Sequence, residues 1–340
     1  MVNSVRALAK QFVRRSPMTL LVFGVAVSLI DFVALYAAAA QEGVLHINQG
    51  IGLLDNYGLL STIVGNAVSL YVAKKYYDGV CSIRTSKAIV NPAPVEESLS
   101  TLTDMIQMRR KYKFLIYGLV IIGLLFGLSN LAGHLIDNPE VRWGHKVFDS
   151  KDHLLSFIAN RAHGIYTLLI IMPFVGHVMV YSSFQLRQAI ALASREGALT
   201  YDLLNPDQRG GFGFVDKAHI AFNVVAALVY IQITMHIETF KMNPEHVIAY
   251  IVLTLLLVFI NRIFLGDIYA TVKRLRLESL NKVKDKAYND DKMSFEILKY
   301  CYERRVSISS IVNFAINPGA IVVSGIVKLW PFITKVFSGA

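Results

Sequence analysis

The sequence predicts an all-α membrane protein: a polytopic bundle of about six transmembrane helices, with cytoplasmic helical extensions and a broken apolar C-terminal segment. Three observations predict it. Of 340 residues, 54% are hydrophobic and 17% charged, whereas a soluble domain is about a quarter charged. Mean hydropathy is +0.47. Six apolar runs approach the roughly 20 residues that cross a bilayer as a helix.

The first run, Met18 to Ala40, follows Arg6, Lys10, Arg14 and Arg15 and ends in the small residues Ala37 to Ala40. Such flanks suit a cleaved signal, but the run is long and Asp31 interrupts it, so it reads as a retained span. The other runs are Ile51 to Ala73, Phe114 to His134, Ile165 to Phe184, Ala218 to Ile237 and Val247 to Phe264. Alternating the intervening segments puts 27 of the 34 Lys and Arg on one side and 5 on the other, with Lys328 and Lys335 in the tail. Cytoplasmic loops carry the basic excess, so both ends of the bundle face inward, at an inner membrane. The net charge of +10 is thereby an orientation signal, and nucleic acid is not an expected partner.

The organisation reads as a transmembrane domain over 1–264, a charged cytoplasmic helical segment over 265–305 and an apolar segment over 306–340. In the first cytoplasmic loop, Lys74 to Lys113, the stretch Asn91 to Pro94 predicts an extended break. Thr101 with Asp104 then predicts the start of a helix running into the third span. Gly266 to Arg305 predicts a charged helix interrupted at the sequence YNDDKMS and restarting near Ser294. The tail is broken at Pro318-Gly319 and Pro331 and carries Lys328, Trp330 and Lys335, which suit an interfacial or re-entrant segment.

Catalytic signatures are missing from the sequence: it has no GxxxxGK[ST] loop, no GxSxG elbow and no HExxH helix. Cys81 and Cys301 are far apart and form no CxxC motif, so they predict packing.

The most unusual string is Asn205 to Phe214, NPDQRGGFGF, before the fifth span. Pro206 and Asp207 favour a tight turn, and Gly210, Gly211 and Gly213 permit backbone angles that side chains forbid. Their amides ahead of a helix start suggest an anion-binding nest in which Arg209 adds charge for a phosphate or lipid head group, a ligand or gating contact. The competing reading is a turn that seats the re-entering helix. At this string the chain resembles a group of uncharacterised bacterial multi-pass membrane proteins with a PD-x-x-GG-x-GF loop before a late span. Pro206, Asp207, Gly210, Gly211, Gly213 and Phe214 carry the match, and Leu53 to Gly58 and the proline-broken tail are similar in kind. That group often has His before the Pro and Leu between the last two glycines, where this chain has Asn205 and Phe212. The resemblance implies the membrane topology and no particular activity.

Ionisable groups inside spans usually mark pathways or partner contacts, because lipid penalises them. Asp31 lies near the middle of the first run, and the second carries Asp55 toward the outer side and Asn66 toward the inner. Antiparallel packing is expected to bring Asp31 near Asn66 as a polar seam for a cation or proton, or as an interhelical hydrogen bond that fixes packing.

Seven of the nine histidines face outward under this topology, including His134, His163 and His236, whereas His177 and His219 face inward. His163 and His177, 14 residues apart and about 21 Å along one helix, would suit two stacked haems. His219 and His236 on the fifth helix fit the second pair poorly. An outer zinc or copper site from His134, His163 and His236 is the other metal reading. The function expected from these features is a channel, pore or transport path, non-enzymatic and homo-oligomeric in the lipid bilayer. Its alternatives are a redox protein holding haem or a transition metal, and a scaffold or sensor whose basic segments meet anionic lipid or a cytoplasmic protein.

Overall fold

The computed structural model describes residues 2–46, 52–107, 153–205, 207, 209–240, 266–286, 292–294 and 296–297. The described chain is all-α, and among the described residues extended pairing is limited to one isolated bridge between Ile89 and Leu199. The helices are α1 (Val2–Arg14), α2 (Pro17–Gln41), α3 (Tyr57–Cys81), α4 (Ala93–Ile106), α5 (Leu154–Ile165), α6 (Met172–Arg195), α7 (Gly213–Phe240) and α8 (266–286). A π-helical segment, Tyr166–Ile171, joins α5 to α6 without a break. The third and sixth predicted spans and the apolar tail lie outside the described residues.

Two compact units form: Met1–Lys75 with Thr103–Tyr181 and Val224–Tyr250, and Tyr76–Leu102 with Ser182–Asn223 and Ile251–Ala340. The first unit is built on α2, which is long and apolar enough to cross a membrane. Ser16 caps it, its side chain accepting from the Thr19 amide at 3.2 Å, and Pro17 opens it, where a proline costs no hydrogen bond. Its inward stripe is Leu20, Gly24, Ser28, Leu35 and Ala39, and its other face exposes Val22, Leu29, Ile30 and Val33. At Gly24 a Cβ would stand 2.3 Å from the Ala67 carbonyl oxygen, so α2 and α3 approach backbone to backbone. Small residues permit such crossings.

Gly43, with φ of +70°, ends α2 in a left-handed turn in which Val44 donates to the Ala39 carbonyl at 2.8 Å. Leu35, Ala39, Val44, Leu53, Leu59 and Ile63 then close an apolar cluster with Phe32, Leu45 and Ala159. Glu42 caps α5 across this end: its two oxygens accept from the Leu155 and Ser156 amides at 2.8 and 2.9 Å. Burial pushes the Glu42 carboxyl up, but the hydrogen bonds from Ser156 and Leu155 and the charge of His153 outweigh it, so its pKa is lowered.

At the other end α1 docks through buried Ala9 and Phe12, with Phe12 edge-on to Phe174 at 5.2 Å. Lys74 donates to the Val13 carbonyl at 3.1 Å and lies over the Phe12 ring. In sequence α1 is only the basic prelude to the first span. Its buried Ala9 and Phe12, set among exposed Lys10, Arg14 and Arg15, are the signal that names it a helix.

The second unit ties loops together. Val90 donates to the Ala198 carbonyl at 2.9 Å and Thr200 to the Ala88 carbonyl at 2.8 Å. The Tyr76 hydroxyl bonds Ser183, and burial, partly opposed by that bond, pushes its pKa up to about 12. Helix α8 runs parallel to the end of α6, with Arg187 on Asp267, Arg274 on Ser194 and Ser279 on the Tyr201 carbonyl.

Several boundaries move. The second span was expected from Ile51, but α3 starts at Tyr57, because Asn56 accepts from the Leu59 amide at 2.9 Å and caps it. The fourth was expected over Ile165 to Phe184, whereas helix runs without interruption from Leu154 to Arg195, its start fixed by Glu42. The expected break at Asn91 to Pro94 holds for Asn91 and Pro92, which lie outside helix, but α4 starts at Ala93: Asn91 accepts from the Ala93 amide, and Pro94 sits in the first turn, where its missing donor costs nothing. Thr101 and Asp104 therefore lie inside that helix and do not begin one. Helix over 266–286 matches the expected charged segment in kind.

Candidate functional site

A buried polar cluster in the first unit joins α2, α3 and the α5–π segment. The Asp31 carboxylate meets His163 Nδ1 at 2.6 Å, with the two side chains 15% and 5% exposed. His163 Nε2 lies 3.5 Å from the Thr167 hydroxyl, one helical turn on. Asn66 Nδ2 donates to that hydroxyl at 2.7 Å. Asp31 and Asn66 thus belong to one polar chain, as the seam predicted, but His163 and Thr167 stand between them.

Local geometry accounts for the meeting. Asp31 is ten residues below the end of α2 and His163 nine below the start of α5, so each sits about 15 Å down its helix. Glu42 clamps those two ends together, which sets the register of the antiparallel pair. Thr167 is in the π segment, a distortion often found at functional sites. Next to Asn66, the Gln232 amide of α7 fills the space left by Gly65: a Cβ there would be 1.8 Å from Gln232 Nε2.

Two buried hydroxyls belong to the same helices. Ser28 is 4% exposed, lies one turn before Asp31 on α2, and its Oγ has no hydrogen-bond partner. The Tyr166 hydroxyl is also buried without one, within electrostatic reach of Asp31.

His163 is the residue that sequence reasoning misplaced. Hydropathy sets it at an outward helix end, just before the apolar run at Ile165, whereas it lies nine residues inside α5. Matching the depth of Asp31 on its helix against the depth of each histidine below a cap would have found it. Asp55, expected at the outer side of the second span, is in the turn before α3 and meets His46 at 3.0 Å, both well exposed.

The glycine string has the predicted nest, and its occupant is the chain itself. Asp207 Oδ1 accepts from the Arg209 and Gly211 amides at 2.8 and 3.1 Å, and Oδ2 from Gly213 at 2.9 Å. Arg209 Nε pairs with Asp216 at 2.7 Å. Gly211 has φ of +94°, and a Cβ there would sit 2.7 Å from the Ala88 nitrogen. Gly210, at +65°, leaves room for the Tyr201 ring, which stacks on buried Phe212. The Gly211 and Gly213 amides expected to hold an external anion are engaged by Asp207, and Arg209 Nε by Asp216, so this loop reads as a clasp that seats α7. Pro206 lies outside the described residues.

The π segment lies between His163 and His177, so a uniform 3.6-residue count does not place them on one face. His177 Nε2 bonds the Met105 carbonyl at 3.2 Å, and His219 Nδ1 bonds the Tyr269 hydroxyl at 2.9 Å. Among the described residues no three His, Cys, Asp or Glu side chains gather as metal ligands. His236 falls on α7, and His134 lies outside the described residues.

No protein-family model, curated protein or solved structure matches the chain.

Proposed function

We propose that this protein is a polytopic membrane protein, with its N-terminus cytoplasmic, that forms a transport path through the bilayer. The observation that carries the reading is the Asp31–His163 pair, an ionisable couple held between helices beside an apolar outer face. Packing alone does not call for it. Serine, threonine and asparagine join transmembrane helices by hydrogen bonds without the desolvation that ionisable groups incur.

Further support comes from exposed apolar side chains on three other long helices: Val64 on α3, Val180 and Phe184 on α6, Ile220 and Ile231 on α7. Water disfavours such faces and lipid accepts them. The basic asymmetry of the loops gives the orientation.

Reconstituted liposomes test the reading. Ion flux is expected under an imposed gradient, with a loss of about tenfold or more in Asp31→Asn. The absence of flux for protons, sodium and potassium alike, or flux indifferent to Asp31→Asn, would sink the proposal.

A further inference from the structure

Resting on that transport reading, we infer that the species carried is the proton, relayed by the His163 imidazole between Thr167 and Asp31. The polarity of the hydrogen bonds argues for it. Asn66 Nδ2 only donates, so the Thr167 oxygen is its acceptor. The Thr167 hydroxyl proton is then free to face His163 Nε2. The Asp31 carboxylate 2.6 Å from Nδ1 calls for a donor there, and a neutral ring that carries its proton on Nδ1 leaves Nε2 to accept. One ring nitrogen is poised to receive and the other to give, the arrangement a histidine shuttle requires.

The donor set disfavours a metal cation. Hard cations take about six oxygen ligands around one centre, whereas here the imidazole stands between the Asp31 carboxylate and the Thr167 hydroxyl, so that each of these oxygens has a ring nitrogen against it. The groups that bond His163 are Asp31 from α2 and Thr167 of its own helix, and uncharged Asn66 from α3 bonds Thr167 in turn. Arg161, two residues earlier, is on another face of that helix.

The transfer balances without a co-reactant. The Thr167 O–H bond breaks as an N–H bond forms at Nε2, and the arriving proton forms a new O–H bond on the same Thr167 oxygen. The Nδ1–H bond breaks and an O–H bond forms on Asp31, leaving a neutral acid and a neutral ring protonated on Nε2. Release of the carboxyl proton restores the Asp31 carboxylate, and loss of the Nε2 proton with uptake of one at Nδ1 returns the ring to its starting tautomer.

Reversal potentials of the full-length wild-type protein in planar bilayers, under separate pH, sodium and potassium gradients, test the relay without any variant. The potential is expected to follow the pH gradient. His163→Gln is expected to lower proton flux about a hundredfold, Thr167→Ser to retain it and Thr167→Val to lose it. A potential that follows sodium or potassium, or wild-type proton flux in His163→Gln, overturns the relay and leaves the transport reading standing. No flux of any of the three ions overturns both.

Discussion

The chain sets two acidic residues in conspicuous surroundings, Asp31 amid an apolar run and Asp207 amid glycines, and the fold satisfies them in opposite ways. Asp207 is satisfied by amides two to six residues away. Asp31 is satisfied by a side chain 132 residues away. A carboxylate closed by its own loop fixes backbone shape. A carboxylate facing an imidazole between helices keeps a proton that can move. Range and partner type, more than the oddity of the local string, separate a folding device from a site.

Breaking the two regions separates them further. The largest expected effect is in Asp31→Ala, which strands His163 among packed helices and should lower stability by about 3 kcal/mol. Thermal unfolding in detergent reads it, and the loss should be smaller in the double variant with His163→Leu, because both partners are then removed.

Next, Gly24→Ala forces a Cβ against the Ala67 carbonyl and should cost about 2 kcal/mol by parting α2 from α3. Gly211→Ala should cost a similar amount, about 2 kcal/mol, through its positive φ and the Ala88 backbone. The two diverge in function: the first should reduce flux per folded molecule and the second should not.

Tyr269→Phe removes the hydrogen bond to His219 and should cost about 1 kcal/mol. Tyr269 itself stays neutral throughout, because burial and then Asp216 raise its pKa while Arg209 only partly opposes them.

The smallest effect is at Glu42. Its folded pKa is depressed below the ordinary 4.5, so its contribution is full above that value and is lost as pH falls through the lowered folded value. Unfolding followed from pH 6 to pH 3 should show wild type losing stability relative to Glu42→Gln at the acid end of that window.

Much of this was legible in the residues. The apolar length of α2, the neighbourhood of Asp31 and Asn66 and the charged helix after Gly266 follow from periodicity and antiparallel packing. His163 did not, because hydropathy places a helix end where apolar residues begin, whereas a long-range cap at Glu42 moved that end eleven residues upstream to Leu154. The π segment has no composition signal. Pro94 was read as a breaker because its effect depends on whether it falls in the first turn. The glycine loop showed a nest in its sequence, and only the fold shows that Asp207 fills it.

The most direct test compares proton flux in liposomes holding equal amounts of folded wild type, Asp31→Asn and Asp207→Asn. Flux lost in Asp31→Asn and kept in Asp207→Asn is the predicted result. Equal flux in Asp31→Asn and wild type, or loss confined to Asp207→Asn, would contradict the assignment of the buried pair as the working site.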